Sequence, residues 1–548
     1  MQLPLPALAA CLCTAGLSAQ MSGAYLIDPS GAGGAFTSFT QAVNAMFVTG
    51  INGACEFAVA PGAYTESVLV PPIPGASATN SITFRSLLGP GTVLLHGGAG
   101  DTFALLGVAF QHNRSIVWDG IDFTGAAGHA ISGTTFCEDM EIRNCFFASG
   151  HRSTAAGEYR HCVIVSENSS SEIGWRVHHN TLTLSNYTNR TSYGIYLSNG
   201  GDWQIHHNRI DLNGGDHGLW LINNNTRVDS IYDNLFVGTL HNVSSSYANS
   251  VCAIRADISN YQNYITHNTF AVTLPASGCC IATGGYSAVQ NYIYGNVFLN
   301  AGGTAIVVGT SSSTAMPFQS NGNLFFAPGG ELGRIGANVA GATSLAAWQA
   351  LSGKDAASVE ADPLLQDPFG PVPDLRPTAS SPVTGVAVNT PAYVDTDYAG
   401  RLRDGAPDAG AYESTSLALY GSGCPGTGGL VPALSATGSV ALGSASFTFE
   451  LNQAAPNSIA LFMGGGSRTL SLLGPLPLPI GGGCTLLQSL DANLLFLTSP
   501  TGTVTVPFPL PGASTLSGLD LFFQWAIADA GSGSPIGLTT SEAGALQL

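Results

Sequence analysis

Apolar and polar positions in the middle of the chain repeat with a period of about 27 residues. Residues 205–210 (Ile-His-His-Asn-Arg-Ile) show the unit, in which two polar residues and an asparagine separate apolar positions. One such unit cannot bury its own apolar side, so repeats of this kind fold by stacking. The pattern predicts a solenoid of about ten coils between Cys55 and Phe326. The repeated asparagines are Asn180, Asn208, Asn234, Asn268, Asn296 and Asn323.

A second motif recurs out of phase with the first. It reads Gly-Ile-Tyr-Leu at residues 194–197, and its equivalents begin at Gly218, Ala253, Cys280 and Ala305. Each coil therefore contains at least two short strands, and stacked parallel strands lie about 4.8 Å apart, which places equivalent residues in columns. We expect each repeated asparagine to adopt the left-handed turn conformation that Asn tolerates. Its amide is expected to hydrogen-bond along the column.

These repeats resemble the right-handed parallel β-helix proteins, the architecture of pectate lyases and their secreted relatives. The first coil is preceded by Ser38-x-x-Gln41, a capping box, and residues 57–66 read as the strand-turn-strand that opens such helices. Asp362-Pro363-Leu364 and residues 404–413 are similar to the end of exported bacterial β-helix proteins. The resemblance implies an all-β, right-handed parallel β-helix over residues 20–415, with an N-terminal helical cap.

The two ends of the chain differ from this domain. Residues 1–19 read as a signal peptide, because an apolar stretch precedes a small-residue cleavage site at Ala19. Residues 416–548 alternate apolar and polar positions between Gly/Pro/Ser turns and predict a small antiparallel β-sandwich. This segment resembles a Gly-rich C-terminal module found behind varied secreted bacterial proteins, which implies attachment, sorting or carbohydrate contact.

Composition narrows the function classes. The 548 residues carry a net charge of −18, and only 9% of them are charged, so a general nucleic-acid-binding face is not expected. After the signal no stretch of about 18 apolar residues follows, so no membrane span is predicted. We expect a secreted or cell-surface monomer whose partner is a polysaccharide.

The second motif also predicts a substrate-binding face. If the isoleucine or leucine of each copy points inward, the next residue points outward, which places Tyr196, Trp220 and Arg255 in one exposed column. Aromatic faces suit sugar rings, and arginine suits a carboxylate or a developing enolate. Asp216, His217 and Asp257 flank this column and are the further candidates.

The resemblance gives Arg255 a possible role as the base of a lyase, since some β-helix lyases use arginine in this way. His217 is the alternative acid or base. Hydrolysis requires two carboxylates, for which the face offers Asp216 and Asp257. Elimination of an acidic glycan is therefore expected over hydrolysis. The alternative is a non-catalytic, glycan-binding or adhesive scaffold, in which Tyr196 and Trp220 pack beneath a loop.

Two metal sites are open at this stage. His179, His207, Asp233 and His267 occupy equivalent positions in successive coils and form a candidate transition-metal column, or they hydrogen-bond between coils. No cofactor follows from the sequence with certainty. Calcium is possible at four aspartates near the end of the β-helix, which otherwise cap turns: Asp395, Asp397, Asp404 and Asp408.

Two disulfides are predicted in an exported chain. Cys424 and Cys484 are the only cysteines beyond residue 300. Cys252 and Cys279 hold equivalent places in adjacent coils, and the coil spacing lies within the Cα range of a disulfide.

Overall fold

The structure of the protein is a computed structural model. It describes residues 20–96, 108–110, 114–124, 130–133, 137–148, 160–166, 172–184, 191–222, 227–241, 251–257, 262–284, 290–309, 317–336, 340–378, 380–403, 405–414, 417–437, 443–513, 516 and 519–548.

Residues 21–360 form a parallel β-helix in which each coil passes through three sheets, here named A, B and C in chain order. Among the described residues the sheets contain 11, 11 and 10 strands. The all-β, parallel β-helix fold that the sequence predicts is confirmed.

The strands of sheet A are Met21–Ile27, Ile51–Val59, Ile82–Ser86, Ile116–Asp119, Glu141–Arg143, Arg176–His178, Gln204–His206, Val228–Tyr232, Gln262–Thr266, Gln290–Tyr294 and Phe318–Asn321. The strands of sheet B are Gly62–Thr65, Val93–His96, Asp122–Thr124, Phe146–Ala148, Thr181–Thr183, Arg209–Asp211, Leu235–Thr239, Thr269–Thr273, Val297–Ala301, Leu324–Phe326 and Val359–Glu360. The strands of sheet C are Val68–Val70, Val108–Phe110, Ile131–Gly133, Arg160–Ser166, Thr191–Ser198, His217–Ile222, Cys252–Asp257, Cys279–Thr283, Thr304–Val308 and Glu331–Ile335.

The N-terminal cap combines a strand with a helix. Helix α1 (Phe39–Thr49) begins where the Ser38 side chain accepts a hydrogen bond from the Gln41 amide, as the capping box predicts. It buries Phe39, Val43 and Met46. The strand Met21–Ile27 precedes this helix and pairs with Ile51–Val59, so the cap is larger than the helix that the sequence predicts.

A buried asparagine ladder joins the coils at the corner between sheets A and B. Asn208 donates from Nδ2 to Oδ1 of Asn234 at 3.0 Å, and its backbone amide donates to the same oxygen at 3.1 Å. Asn234 repeats both bonds to Asn268. The ladder runs from Asn180 to Asn323, where Asp355 accepts the last side-chain bond at 2.9 Å. Hydrogen bonding along the column is therefore confirmed.

The left-handed backbone conformation falls one residue earlier than the sequence predicts. His179, His207, Asp233 and His267, which precede the ladder asparagines, have φ between 51° and 56°. The asparagines themselves do not, because their side chains point into the coil, where the amides complete the ladder.

A second helix and a long segment close the β-helix. Helix α2 is Leu345–Ser352, and Trp348 is its buried residue. The following segment packs Leu375 and Ala411 against Leu235 and Val237 on the outer side of sheet B. The shorter elements are the 3-10 helices Ala32–Gly34 and Thr427–Gly429 and the strand pairs Glu172–Ile173 with Gly200–Gly201 and Leu365–Asp367 with Asp374–Pro377.

Residues 417–548 contain two antiparallel sheets with a shared core. Phe449 of the smaller sheet contacts Phe462 and Phe523 of the larger, with ring centroids 4.9 and 4.4 Å apart. Cys424 and Cys484 form a disulfide. The larger sheet is, in spatial order, Ala418–Tyr420, Leu538–Gln547, Asp520–Ala528, Ile459–Gly465 and Ala492–Leu497, and the smaller is Ala433–Thr437, Thr448–Asn452 and Val504–Pro507. Two hairpins complete the module, Leu470–Ser471 with Gly474–Pro475 and Leu478–Gly481 with Cys484–Leu486.

Within the described residues, no helix has the length and apolar character needed to cross a membrane.

Candidate functional site

The outer face of sheet C holds the predicted column. Tyr196 pairs in register with Trp220, and Trp220 with Arg255. The residue before each of them, such as Ile195, is fully buried in the main core. The three side chains therefore lie on the outside of adjacent coils.

The two aromatic rings of this column are covered, which corrects the expectation of an open groove. Tyr196 is 5% exposed and Trp220 is 8% exposed. Their ring centroids lie 5.4 Å apart, and the Arg255 guanidinium carbon lies 4.8 Å from the Trp220 centroid. Arg255 is partly exposed.

Tyr193 belongs to the same cluster and was not predicted. Its ring stacks on His217 at 5.3 Å and lies 5.1 Å from Trp220. Strict alternation fails in this sheet, because Ala253 and Ile254 both enter the main core while Cys252 lies outside it. Outward positions are consequently three residues apart, and a two-residue period does not find Tyr193.

His217 acts as an acceptor at one ring nitrogen. The Cys252 backbone amide donates to Nδ1 of His217 at 3.2 Å. Burial, together with the Arg255 charge, lowers the pKa of His217 well below its usual value. The ring is therefore neutral near pH 7 with its proton on Nε2, which makes it a hydrogen-bond donor and a weak base.

Of the two flanking aspartates, the structure describes the side chain of Asp216 only. Asp216 is 3% exposed and accepts the Ser192 amide at 2.8 Å through Oδ2. Asp257 ends the strand Cys252–Asp257, and its side chain lies outside the described residues.

The four predicted metal ligands share a column but do not converge on one point. Asp233 is fully buried and pairs with Arg403 at 2.5 Å. His267 is fully buried, with Nε2 lying 3.2 Å from the Thr390 hydroxyl. His207 is bound to the Asp397 carbonyl, whereas His179 is exposed.

A tighter histidine group lies at one end of this column. Ligand atoms of His178, His179 and His206 all lie within 4.8 Å of one another. Although His179 is exposed by surface area, the loss of water around its packed ring and the charge of His178 lower its pKa to about 4. Burial lowers the pKa of His206 to about 2. The sequence placed His178 and His206 in register, but it gave no sign that their rings face His179.

Two of the four aspartates considered for calcium, Asp397 and Asp408, cap backbone turns. Asp397 accepts the amides of Ala399, Arg401 and Glu413. Asp408 accepts the Gly385 amide. Asp395 accepts the Arg403 amide through its backbone carbonyl, and Asp404 lies outside the described residues.

The predicted register of Cys252 and Cys279 is correct, and their sulfur atoms lie 2.6 Å apart. The structure records both cysteines as free, so a disulfide between them stays a prediction.

The family model described as "Periplasmic copper-binding protein (NosD)" matches residues 111–252, about a quarter of the chain. No curated protein matches this chain.

Solved structures show low similarity. The PL6 family alginate lyase AlyGC is 14% identical over 65% of this chain and 56% of its own length, with a TM-score of 0.30. The PL6 family polysaccharide lyase Pedsa3628 from Pseudopedobacter saltans is 14% identical over 62% of this chain and 95% of its own, with a TM-score of 0.28. The enzymatically active domain of tailspike protein 2 from bacteriophage CBA120 is 9% identical over 93% and 73%, with a TM-score of 0.19. These likenesses concern the fold alone, and the chain is a parallel β-helix protein.

Proposed function

We propose that this β-helix protein acts outside the cytoplasm on an acidic polysaccharide, whose carboxylate binds at Arg255 on the outer face of sheet C. The observation that carries the proposal is the partly exposed Arg255 guanidinium, 4.8 Å from the Trp220 ring. The NosD description, which names a periplasmic protein, supports the location.

The chemistry of the site suits a carboxylate. A guanidinium can bind both carboxylate oxygens at once, and the Trp220 face orients it through a cation–π contact. The indole Nε1 of Trp220 is buried and has no hydrogen-bond partner among the described residues. Since the chain carries −18 overall, a polyanion needs such a local positive charge.

Elimination suits the site better than hydrolysis. Elimination breaks the C–H bond next to the carboxylate and the C–O bond to the leaving sugar, and it forms a C=C bond. Arg255 would stabilise the negative charge that grows on the carboxylate, while solvent hydroxide takes the proton and water protonates the leaving oxygen. Neutral His217 would donate a hydrogen bond from Nε2. Hydrolysis needs two available carboxylates, and Asp216 is buried against the Ser192 amide.

The test is an assay of the purified chain on uronate-containing and neutral polysaccharides. Ultraviolet absorbance of unsaturated products and reducing ends are followed together. Arg255→Ala is compared with Arg334→Ala, because Arg334 lies three coils further along the same column and pairs with Glu331 at 2.7 Å. Unsaturated product from the wild type and from Arg334→Ala, but not from Arg255→Ala, supports the proposal.

The second candidate is a glycan-binding scaffold without catalysis. Tyr264 and Tyr292 stack at 4.4 Å on the outer face of sheet A and are partly exposed, as a sugar platform requires. The scaffold is supported if neither unsaturated products nor reducing ends form, while the protein still binds a polysaccharide. That binding should survive Arg255→Ala and be lost in Tyr264→Ala.

A further inference from the structure

Four histidines from two adjacent coils pack together at the corner between sheets A and B. The rings of His178 and His206 stack with centroids 4.7 Å apart and planes 4° apart. The rings of His179 and His207 stack at the same separation. Within each coil the two Nδ1 atoms face each other, at 2.8 Å for His178 and His179 and at 2.9 Å for His206 and His207.

Outer partners determine which nitrogen of two rings carries the proton. Nε2 of His178 lies 3.3 Å from Oε1 of Glu141, and Nε2 of His207 lies 2.9 Å from the Asp397 carbonyl oxygen. Both oxygens accept, so each Nε2 donates, and a ring that carries one proton is left with a lone pair at Nδ1. Metal-binding histidines are oriented in the same way, by a carboxylate or carbonyl on the other nitrogen.

We propose that His178, His179 and His206 bind one divalent transition-metal ion of the kind that prefers imidazole, with Cu²⁺ the strongest binder. This site is separate from the sheet C face and does not depend on the proposed glycan chemistry. The three side chains offer ligand atoms within 4.8 Å of one another. Imidazole suits copper, nickel and zinc, and copper binds most tightly among divalent first-row ions.

The distances fit ligands at right angles. With metal–nitrogen bonds of about 2.05 Å, two such ligands stand roughly 2.9 Å apart, close to the 2.8 Å between Nδ1 of His178 and Nδ1 of His179. Right-angled nitrogen ligands are typical of tetragonal Cu²⁺ and Ni²⁺.

Binding requires a proton to move and the His206 ring to shift. The ion takes the place of the proton between the two Nδ1 atoms, and that proton moves to Nε2 of His179, which leaves the ring neutral. The three ligand atoms lie within 4.8 Å of one another, whereas ligands on opposite sides of one ion stand about 4.1 Å apart, so His206 must approach the ion. Its ring, which is parallel to that of His178, must also turn, because the lone pairs of two stacked rings do not point at one ion.

The experiment titrates Cu²⁺, and Zn²⁺ in parallel, into the purified chain by calorimetry and records the electron paramagnetic resonance spectrum of the copper form. We expect one tight equivalent of Cu²⁺ with a tetragonal spectrum and nitrogen hyperfine splitting. His178→Ala with His206→Ala should weaken the affinity about 100-fold or more, and Glu141→Gln about 10- to 100-fold. The control is His241→Ala, at an exposed histidine elsewhere.

His179→Asn guards against misfolding of the double variant, because His179 is exposed and has φ 56°, which Asn tolerates. Loss of the tight equivalent in this variant, with an unchanged circular dichroism spectrum, supports the site. The proposal is overturned by wild-type copper affinity and spectrum in His179→Asn, or by the same loss in His241→Ala. It is also overturned if the wild type binds no tight equivalent of either metal.

Discussion

Single residues at the corner between sheets A and B carry buried charge and unusual backbone angles. The sequence identified a column of equivalent residues, His179, His207, Asp233 and His267. It predicted the left-handed backbone conformation at the asparagines that follow them, not at these residues. Asn tolerates positive φ, so local preference alone favours that choice. The ladder requires the Asn side chain inside the coil, and this tertiary requirement decides which residue turns.

His267 predicts a pH dependence of stability. Burial, with the Arg403 charge, lowers its pKa well below 6.5. The unfolded chain then binds a proton that the folded chain does not, so this contribution to stability is complete above pH 6.5 and is lost as the pH falls below it. His267→Asn keeps a residue that tolerates φ 54° but cannot titrate.

We expect the wild type to lose up to about 2 kcal/mol more than His267→Asn between pH 7 and pH 5, at about 1.4 kcal/mol for each pH unit below 6.5. Urea unfolding at the two pH values measures the difference. Equal pH dependence of the two proteins would mean that His267 titrates normally.

Replacement of the buried Arg403 is expected to destabilise the protein strongly. Arg403 donates to Asp233 at 2.5 Å and to Glu413 at 2.7 Å, with only 2% of its side chain exposed. Arg403→Met leaves both carboxylates buried without a counter-charge, and breaking such a buried pair costs about 3–5 kcal/mol.

The matched control is Arg376→Ala. Arg376 pairs with Asp374 at 2.6 Å but is 55% exposed, and such surface pairs are worth about 1 kcal/mol or less. Chemical denaturation compares both variants with the wild type. Similar losses for the two arginines would show that burial does not set the cost.

At the scale of elements, the sequence predicted stacked strands and the asparagine ladder but not the inner geometry of sheet C. Periodicity found the Ile195, Leu219 and Ile254 row because those residues enter the core in every coil. The extra inward residue, such as Ala253, interrupts the alternation, and no local signal marks it. The sequence offers coverage of Trp220 only as an alternative, because tertiary packing decides it.

The ladder itself predicts a strong substitution effect. Oδ1 of Asn234 accepts two bonds from Asn208, and its Nδ2 donates to Asn268 and to the Ile205 carbonyl. Asn234→Ala leaves several of these buried groups without partners, at about 1–3 kcal/mol for each. We therefore expect a loss of at least about 3 kcal/mol in denaturant unfolding.

Asn452→Ala provides the comparison. Asn452 is half-buried and donates one bond, to the Ser435 hydroxyl at 3.1 Å. A net contribution of about 1 kcal/mol is expected for such a bond. A loss no larger for Asn234→Ala than for Asn452→Ala would mean that the ladder relaxes around the gap.

At the scale of the whole molecule, the sequence predicted a β-helix followed by a separate antiparallel module. The composition indicates the boundary, because residues 417–548 contain no histidine and one arginine, Arg468. The module has its own core around Phe449, Phe462 and Trp525. Neither composition nor repeats could indicate how the segment before it covers sheet B, since those contacts join residues far apart in sequence.

The division predicts separate unfolding. The Cys424–Cys484 disulfide closes a loop with a sequence separation of 60 residues, and a loop of this size is worth about 4 kcal/mol by chain entropy. We expect Cys424→Ser with Cys484→Ser to lower the unfolding temperature of the module and to leave the β-helix transition unchanged. Scanning calorimetry measures both, and an equal shift of the two transitions would contradict independent folding.

The near-identity of two adjacent strands in sheet A has a consequence for evolution. The strand Gln262–Thr266 pairs with Gln290–Tyr294 so that Gln, Asn, Tyr and Ile each meet their own kind. A duplication or deletion of one such coil would therefore join surfaces that already match. Each event changes the molecule's length by one strand spacing, about 4.8 Å, so selection can adjust its reach in fixed steps without inventing a new interface.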